Sequence, residues 1–337
     1  MKGSIGGRSS DRGNWPFFIV GCGRSGTTLL RTMLNRHPDV AIPLESLFMI
    51  DYLRAGEWMS ASELYPMLLR EPELREWGLD PSKGDLIGCH TIVDAIERLH
   101  QKYAEIRGKP RWGQKTPRFV RFLPQLAQSF PLARFIHVIR DPRAVVNSLK
   151  RSDVHHSNAL FGARRWRADV AQGLAFEQAA ADRVLRVAYE ELVRWPSAVL
   201  ERVCAFLELD WPEADWWRST DRPTREYSEF YDQIHQNLDH AVSGDSVDRW
   251  RHELSAAEIE VVEASARDLM GTLGYAPLSS KPAPSWLFGA WLRLERLAGL
   301  GRQTLKYLRQ RRGYLFFLFY RKLRLGLLLD FLQSANY

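Results

Sequence analysis

Cysteine is scarce in this chain of 337 residues, and its three copies, Cys22, Cys89 and Cys204, lie far apart. An odd, dispersed set suits neither a disulfide framework nor a CxxC metal site. The nine histidines form no HExxH or similar ligand spacing, and no GxSxG motif occurs. These absences argue against a secreted disulfide protein, a zinc enzyme and a serine hydrolase, so we expect a reducing compartment and no catalytic metal.

Long apolar runs are missing from residues 285–337, where the longest, 313–320, is stopped by Arg321 and Lys322. A membrane-spanning helix needs about 20 apolar residues. Residues 1–14 are rich in glycine and serine and have no apolar core, which is typical of a flexible segment and not of a signal peptide. We therefore predict a cytoplasmic protein.

Acidic residues are rare in the C-terminal region only. The net charge is +7, yet residues 281–337 hold eleven Lys and Arg against Glu295 and Asp330. The rest of the chain is slightly acidic, so we expect no nucleic-acid partner. A basic, aromatic-rich helical tail over 285–337 suits an anionic membrane surface; packing on the body, or on a second subunit in a homodimer, is the alternative.

Lysine is absent where a phosphate-binding loop normally has it. Residues 21–28, GCGRSGTT, keep the glycine spacing of a P-loop, but Thr27 occupies the lysine position. Backbone N–H groups and the positive end of the next helix still bind an anion there. Mg-ATP is disfavoured, because in ATP-binding proteins the loop lysine contacts the β and γ phosphates and a Walker B acid helps to hold the magnesium ion. No predicted strand ends in an acid, although Asp141 follows one by two positions.

Strand-like apolar segments alternate with helical patterns along the chain. This predicts an α/β fold of the P-loop-like three-layer α/β/α type with a central parallel sheet, plus a C-terminal basic helical tail. The predicted strands are 17–20, 40–42, 133–139 and 183–189, and the predicted helices are 27–36, 91–107, 117–129, 158–182, 190–207 and 255–271. Asp141 before Pro142, and Ser255 before Glu258, are typical helix starts.

Two separated motifs resemble those of one enzyme family. Residues 19–30, IVGCGRSGTTLL, with 31–40, resemble the phosphosulfate loop of sulfotransferases, which use 3′-phosphoadenosine-5′-phosphosulfate (PAPS). Residues 135–148, FIHVIRDPRAVVNS, resemble the family's second signature. The resemblance spans about residues 15–277. It divides the chain into a flexible N-terminus (1–14), a sulfotransferase domain (15–278), and a linker with a basic amphipathic helical tail (279–337).

The resemblance implies a nucleotide site. Arg140 and Ser148 would hold the 3′-phosphate, and the 5′-phosphosulfate would lie on the loop residues Gly23, Arg24, Ser25, Gly26, Thr27 and Thr28. It also implies nucleotide contacts from Tyr189, for which a core tyrosine is the alternative, and from Arg249, with Arg251 as the competing candidate. A sulfuryl group carries one charge fewer than a phosphoryl group, so hydrogen-bond donors can replace a metal clamp.

Three catalytic residues follow from the same resemblance. Protein-tyrosine sulfotransferases use a glutamate as general base, and the resemblance matches Glu45 to it and Arg24 to their catalytic arginine. For Glu45 the alternative is a carboxylate that only stabilises a helix start. Lys115, in WGQKTPRF, is similar to the family's lysine, which neutralises the sulfuryl oxygens or the leaving group. A solvated surface lysine is its alternative.

The predicted reaction is sulfuryl transfer from PAPS to a hydroxyl of a glycan, lipid-linked or other acceptor, with release of 3′,5′-ADP. Two other functions stay open at this point. One is a nucleotide-dependent small-molecule kinase, and the other is a non-catalytic nucleotide-binding module tethered to a membrane.

Overall fold

The structure, a computed structural model, describes residues 15–152, 157–212, 215–218, 245–278, 288–296 and 312–327. Its centre is a five-stranded parallel sheet with the strand order β2-β3-β1-β4-β5. The strands are β1 Phe17–Gly21, β2 Val40–Ala41, β3 Arg111–Lys115, β4 Arg134–Ile139 and β5 Val184–Ala188. The α/β fold expected from the sequence is confirmed.

Helices follow the strands in the alternating order of a parallel α/β protein. They are α1 Thr27–Leu34, α2 Leu47–Ala55, α3 Ala61–Leu68, α4 Pro72–Glu76, α5 Ile92–Ile106, α6 Leu123–Ser129, α7 Pro142–Lys150, α8 Ala159–Ala179, α9 Tyr189–Arg194, α10 Pro196–Leu207, α11 Asp245–Asp248, α12 Trp250–Glu253, α13 Ala256–Thr272, α14 at 288–296 and α15 Arg312–Arg324. Short 3-10 turns form at Lys83–Leu86, Pro117–Phe122, Ala181–Arg183 and Trp216–Arg218.

The central strand β1 shows why helices cover both faces of the sheet. Its side chains alternate between two clusters, and all are fully buried. Phe17 and Ile19 pack in the cluster that contains residues of α1 and α10. Phe18 and Val20 pack in the cluster that contains residues of α2, α5 and α6. The sheet is therefore the middle layer of three.

Both predicted helix starts are present. The Asp141 side chain accepts a hydrogen bond from the Arg143 amide at 2.8 Å, with Pro142 as the first helical residue. Ser255 and Glu258 form a capping box at the start of α13. The predicted helix 190–207 is two helices, because Pro196 cannot donate the hydrogen bond that would continue α9.

The described parts of the tail pack on the body. Leu292 of α14 is buried in a cluster with residues of α7, α8 and α13. Leu325 and Leu327, just after α15, are buried in the cluster that contains α2 and α5. Arg321 is 2% exposed, so this basic residue of the tail is buried and does not face an anionic membrane surface. The segments 1–14 and 279–287 and most of the loop 218–249 lie outside the described residues.

Within the described residues, no helix combines the length and the apolar composition needed to cross a bilayer.

Candidate functional site

The candidate residues meet where the parallel strands end. The glycine loop follows β1, Lys115 ends β3, Arg140 follows β4 and Tyr189 follows β5. The carboxyl ends of parallel strands share one edge of the sheet, which is where ligands bind in open α/β folds. The topology thus brings together groups that are far apart in the sequence.

The loop conformation depends on its glycines. Gly26 has φ +94°, and a Cβ at this position would lie 2.2 Å from Cδ2 of Tyr189. Gly21 has φ +152°, and a Cβ there would lie 2.4 Å from the Val138 carbonyl oxygen. Arg24 also has a left-handed backbone, with φ 73°, which few residues other than glycine, asparagine and aspartate adopt. Helix α1 starts directly after Gly26, so its N-terminus faces the loop.

Two buried donors in the site have no hydrogen-bond partner within the described part of the chain. They are the Oγ of Ser25, a residue that is fully buried, and the Nε of Arg140. A buried donor left without a partner costs free energy, so such groups normally have one in the working protein. Both donors fit an anionic group bound on the loop, as expected for phosphate or sulfate oxygens.

The two sequence signatures are in direct contact. Arg24 Nε donates to Ser148 Oγ at 3.0 Å, and Arg140 Nη1 donates to the Arg24 carbonyl oxygen at 3.2 Å. Trp166, which sequence analysis did not select, donates from Nε1 to the Arg140 carbonyl oxygen at 2.9 Å. Burial lowers the pKa of Arg24, and the nearby Arg140 guanidinium lowers it further. This concentration of positive charge attracts an anion.

Tyr189 is not an isolated core tyrosine. Its ring lies 4.1 Å from Cζ of Arg140, and its hydroxyl is 2.8 Å from Ser246 Oγ. Arg140 Nη2 also donates to the Ser246 carbonyl oxygen at 2.6 Å. The segment that begins α11 therefore covers Arg140 and Tyr189.

The two candidate arginines of the covering segment differ in position. Arg249 is half-buried, three residues after Ser246. Arg251 is exposed and pairs with Asp248 at 2.9 Å. The structure thus assigns Arg251 a surface ion pair.

Glu45 and Lys115 form an ion pair beside the loop. Lys115 Nζ is 2.6 Å from Glu45 Oε1 and donates to Thr28 Oγ1 at 3.2 Å. Lys115 is fully buried, so it is not a solvated surface lysine. Burial lowers its pKa, while Glu45 acts in the opposite direction. The Glu45 side chain is 27% exposed, so it stays accessible from solvent.

The backbone around Glu45 is held by residues that sequence analysis missed. Arg31, buried on α1, donates from Nε to the Ile42 and Pro43 carbonyl oxygens at 3.1 and 2.9 Å. Gln114 Nε2 donates to the Leu44 carbonyl oxygen at 3.1 Å. The available signal was the place of Arg31 on the apolar face of α1, where a charged side chain needs buried partners.

A buried carboxylate lies near the loop. Asp169 of α8 is 1% exposed and accepts from Arg121 Nε at 2.6 Å. Arg165, one turn earlier, places Nη2 3.0 Å from where a Cβ of Gly23 would lie. The glycine at position 23 therefore permits close approach of this guanidinium.

Among the described residues, no group of three or more His, Cys, Asp or Glu side chains could hold a metal ion.

The site combines a glycine loop between strand and helix, the cations Arg24 and Arg140 at neighbouring strand ends and a carboxylate–ammonium pair, which together suit the binding of an anionic group. The profile of the sulfotransferase family matches residues 16–213. The chain belongs to that family.

Curated relatives cover the same region. Protein-tyrosine sulfotransferase 1 of Danio rerio is 30% identical over 204 residues, which are 58% of this chain and 54% of that protein. Nodulation protein NoeE of Sinorhizobium fredii is 28% identical over 284 residues, 77% of this chain and 65% of that protein. The chain thus spans between half and two thirds of the length of these relatives.

Solved structures share the fold. The sulfotransferase domain of the Synechococcus PCC 7002 olefin synthase has a TM-score of 0.55 and 27% identity, and the match covers 80% of this chain and 98% of that domain. The sulfotransferase domain of the curacin biosynthetic pathway has a TM-score of 0.56 at 19% identity, over 79% of this chain and 99% of that domain.

Proposed function

We propose that the protein transfers a sulfuryl group from PAPS to a hydroxyl of its acceptor and releases 3′,5′-ADP. The observation that carries this proposal is the contact between the two signatures, in which Arg24 meets Ser148 and Arg140. One site then offers donors for a 5′-phosphosulfate and for a 3′-phosphate. ATP has no 3′-phosphate, so this pairing favours PAPS over a kinase donor. We assign the activity to a domain of residues 15–278.

The donor would be held at both phosphorylated ends. The 5′ end would lie on the loop residues Gly23, Arg24, Ser25, Gly26, Thr27 and Thr28. The Ser25 hydroxyl, which has no hydrogen-bond partner among the described residues, supports an anion there. The 3′-phosphate would lie between Arg140 and Ser148. Tyr189 packs against both Gly26 and Arg140 and would border the nucleotide. Arg249 would reach it from the segment that covers Tyr189.

Bound PAPS supplies the sulfuryl group, and the residues of this chain supply acid–base and electrostatic catalysis. Glu45 would accept the proton of the acceptor hydroxyl as general base, because its carboxylate is accessible and fixed by Lys115. The buried Lys115 ammonium and Arg24 would stabilise negative charge on the group that leaves. No metal is required for this charge balance.

The acceptor class is a hydroxyl compound. We propose that the acceptor is a glycan, a lipid-linked molecule or another hydroxyl compound. Because several relatives are named protein-tyrosine sulfotransferases, a tyrosine side chain is the example of the last group to test first. Labelled PAPS incubated with separate glycan, lipid and peptide pools identifies the class by the pool that becomes labelled.

We further propose that the protein is cytoplasmic and peripheral on an anionic membrane surface through α15. Four large side chains of α15 are 43–70% exposed at i, i+3, i+4 and i+7, namely Phe316, Phe319, Tyr320 and Leu323. They form one apolar face, and Arg324 is exposed beside them. An exposed apolar face with basic neighbours suits the interface of an anionic bilayer. A homodimer through the same face is the alternative.

Calorimetry tests the donor. We expect the wild type to bind 3′,5′-ADP more tightly than Mg-ATP. Arg140→Ala should weaken 3′,5′-ADP binding about 10- to 100-fold, because a hydrogen bond to a charged group contributes about 1.5–3 kcal/mol. Arg151→Ala, an exposed arginine at the end of α7, is the matched control and should bind normally. Preference for Mg-ATP would support the kinase instead.

Sulfate transfer tests the catalytic role. We expect Glu45→Gln to keep 3′,5′-ADP binding while the transfer rate falls by about 10²- to 10⁴-fold, the range for loss of a general base. If Glu45→Gln and Arg24→Ala both leave all activity unchanged while nucleotide still binds, the protein is a non-catalytic nucleotide-binding module.

A further inference from the structure

A buried ion cluster joins the C-terminal helix to the catalytic body. Arg321 of α15 lies 3.1 Å from Asp51, 2.9 Å from Glu71 and 3.5 Å from Glu73, measured between side-chain N and O atoms. Lys322 makes a second ion pair with Asp51. Arg321 and its three carboxylate partners are each at most 4% exposed. The cluster is therefore a solvent-excluded contact and not a surface ion pair.

The carboxylates of this cluster depend on their cation. Burial raises the pKa of Glu71, and it raises the pKa of Glu73 to about 8, whereas Arg321 acts in the opposite direction on both. Removing one partner of a buried ion pair leaves an uncompensated charge, which is strongly destabilising. Without Arg321, Glu71 and Glu73 would have to take up protons or move apart.

One carboxylate of the cluster also holds the start of α2. Glu73 Oε2 accepts a hydrogen bond from the Phe48 amide at 3.3 Å, and a backbone hydrogen bond from Leu47 also reaches Glu73. Those amides belong to the first turn of α2, where the N–H groups have no carbonyl partner within the helix. The N-cap residue Ser46 has no side-chain cap of its own. Glu73 therefore replaces the missing cap, and a carboxylate there is favourable to the helix dipole.

The first turn of α2 directly follows the candidate base. Glu45 immediately precedes the N-cap Ser46, and Asp51 lies one turn further along the same helix. Arg321 thus contacts α2 twice, directly through Asp51 and through Glu73 at the helix start. A shift of this helix would move Glu45 relative to Lys115, which is fixed at the end of β3.

We propose that Arg321 is a positioning residue for sulfuryl transfer: by holding Glu73 and Asp51, it sets the start of α2 and keeps Glu45 against Lys115. The inference rests on the proposed function in so far as Glu45 is the base. The C-terminal helix then forms part of the catalytic unit, although it contacts no residue assigned to the donor among those described.

Arg321→Met tests the proposal in the full chain. We expect kcat for sulfate transfer to fall about tenfold or more, while the affinity for 3′,5′-ADP changes less than about twofold, because only the base is displaced. Hydrogen exchange of the backbone amides at 44–53 should become faster. Arg321→Lys should recover part of kcat, since it restores the charge. Arg324→Met, an exposed arginine of the same helix, should behave as the wild type.

Other outcomes overturn the proposal. An unchanged kcat with unchanged exchange at 44–53 removes the positioning role, and a parallel loss of kcat and 3′,5′-ADP affinity shows a general loss of structure instead. If the wild type transfers no sulfate, the proposed function fails, and the exchange experiment still decides whether Arg321 orders the segment that contains Glu45.

A second variant covers the case in which Arg321→Met does not fold. Glu73→Leu keeps Arg321 with two carboxylates and removes only the acceptor at the start of α2. We expect a lower kcat with normal 3′,5′-ADP binding and faster exchange at 44–53. Wild-type kcat in Glu73→Leu overturns the proposal.

Discussion

At the scale of the residue, the site combines tight backbone turns with buried charge. Arg24 has a left-handed backbone and a partly buried guanidinium that contacts Ser148. Such a conformation costs on the order of 1–3 kcal/mol, and it persists only where the surroundings impose it. Here the contacts with Ser148 and Arg140 do so. The strained residue is also the leading catalytic candidate, which is where backbone strain commonly occurs.

Gly26 offers a sharp test of the loop. We expect Gly26→Ala to weaken 3′,5′-ADP binding on the order of 100-fold, because the added Cβ clashes with the Tyr189 ring and the left-handed backbone disfavours alanine. Calorimetry measures the affinity. Gly271→Ala is the matched control: its Cβ meets no atom within 4 Å in α13, and a helix favours alanine. Normal binding by Gly26→Ala would contradict the assigned role of the loop.

At the scale of the element, β4 carries an acid-sensitive group. His137 is fully buried, and its ring nitrogens have no hydrogen-bond partner among the described residues. Burial lowers its pKa to about 3, with Arg186 contributing, from about 6.5 in an unfolded chain. Between those values the unfolded chain binds a proton that the native protein does not. This residue therefore destabilises the fold progressively as the pH falls from about 6.5 to about 3.

His137→Leu should remove that sensitivity. Relative to the wild type, the variant should gain about 1.4 kcal/mol in the free energy of unfolding for each pH unit below 6.5, down to about pH 3. Urea unfolding at several pH values measures the difference. His252→Leu, at an exposed histidine of α12, is the control and should follow the wild type. Parallel pH profiles for His137→Leu and the wild type would refute the argument.

The elements that sequence predicted well have local signals. β1 and β4 are apolar runs that precede a glycine loop and an Asp-Pro helix start, and both are found where expected. The sequence did not predict β3, because three of the five residues of Arg111–Lys115 are polar or charged. All five of its residues are buried, and polar members such as Gln114 and Lys115 are satisfied by partners distant in the sequence. A pattern of hydrophobicity contains no information about such partners.

At the scale of the whole molecule, the tail shows the same limit more strongly. Its basic and aromatic composition predicted helices, and α15 is one. The sequence did not reveal that Arg321 is buried, because its carboxylates lie at positions 51, 71 and 73.

The exposed face of α15 predicts membrane binding. We expect the full chain to sediment with vesicles that contain anionic phosphatidylglycerol and not with neutral vesicles. The triple variant Phe316→Ser, Phe319→Ser, Leu323→Ser should lose this binding and keep sulfate transfer. Leu132→Ser, at a side chain of the body that is 74% exposed, is the control. A full chain that ignores anionic vesicles but dimerises through this face would favour the homodimer.

The ion cluster at Arg321 also fixes an order of events during synthesis. Arg321 follows Glu71 by 250 positions, and at about 5–20 residues per second the two are made roughly 12–50 s apart. Throughout that interval, Asp51, Glu71 and Glu73 lack the arginine that compensates them. The segment that contains Glu45 and the start of α2 is translated early, but its final position has to wait for α15 to emerge from the ribosome.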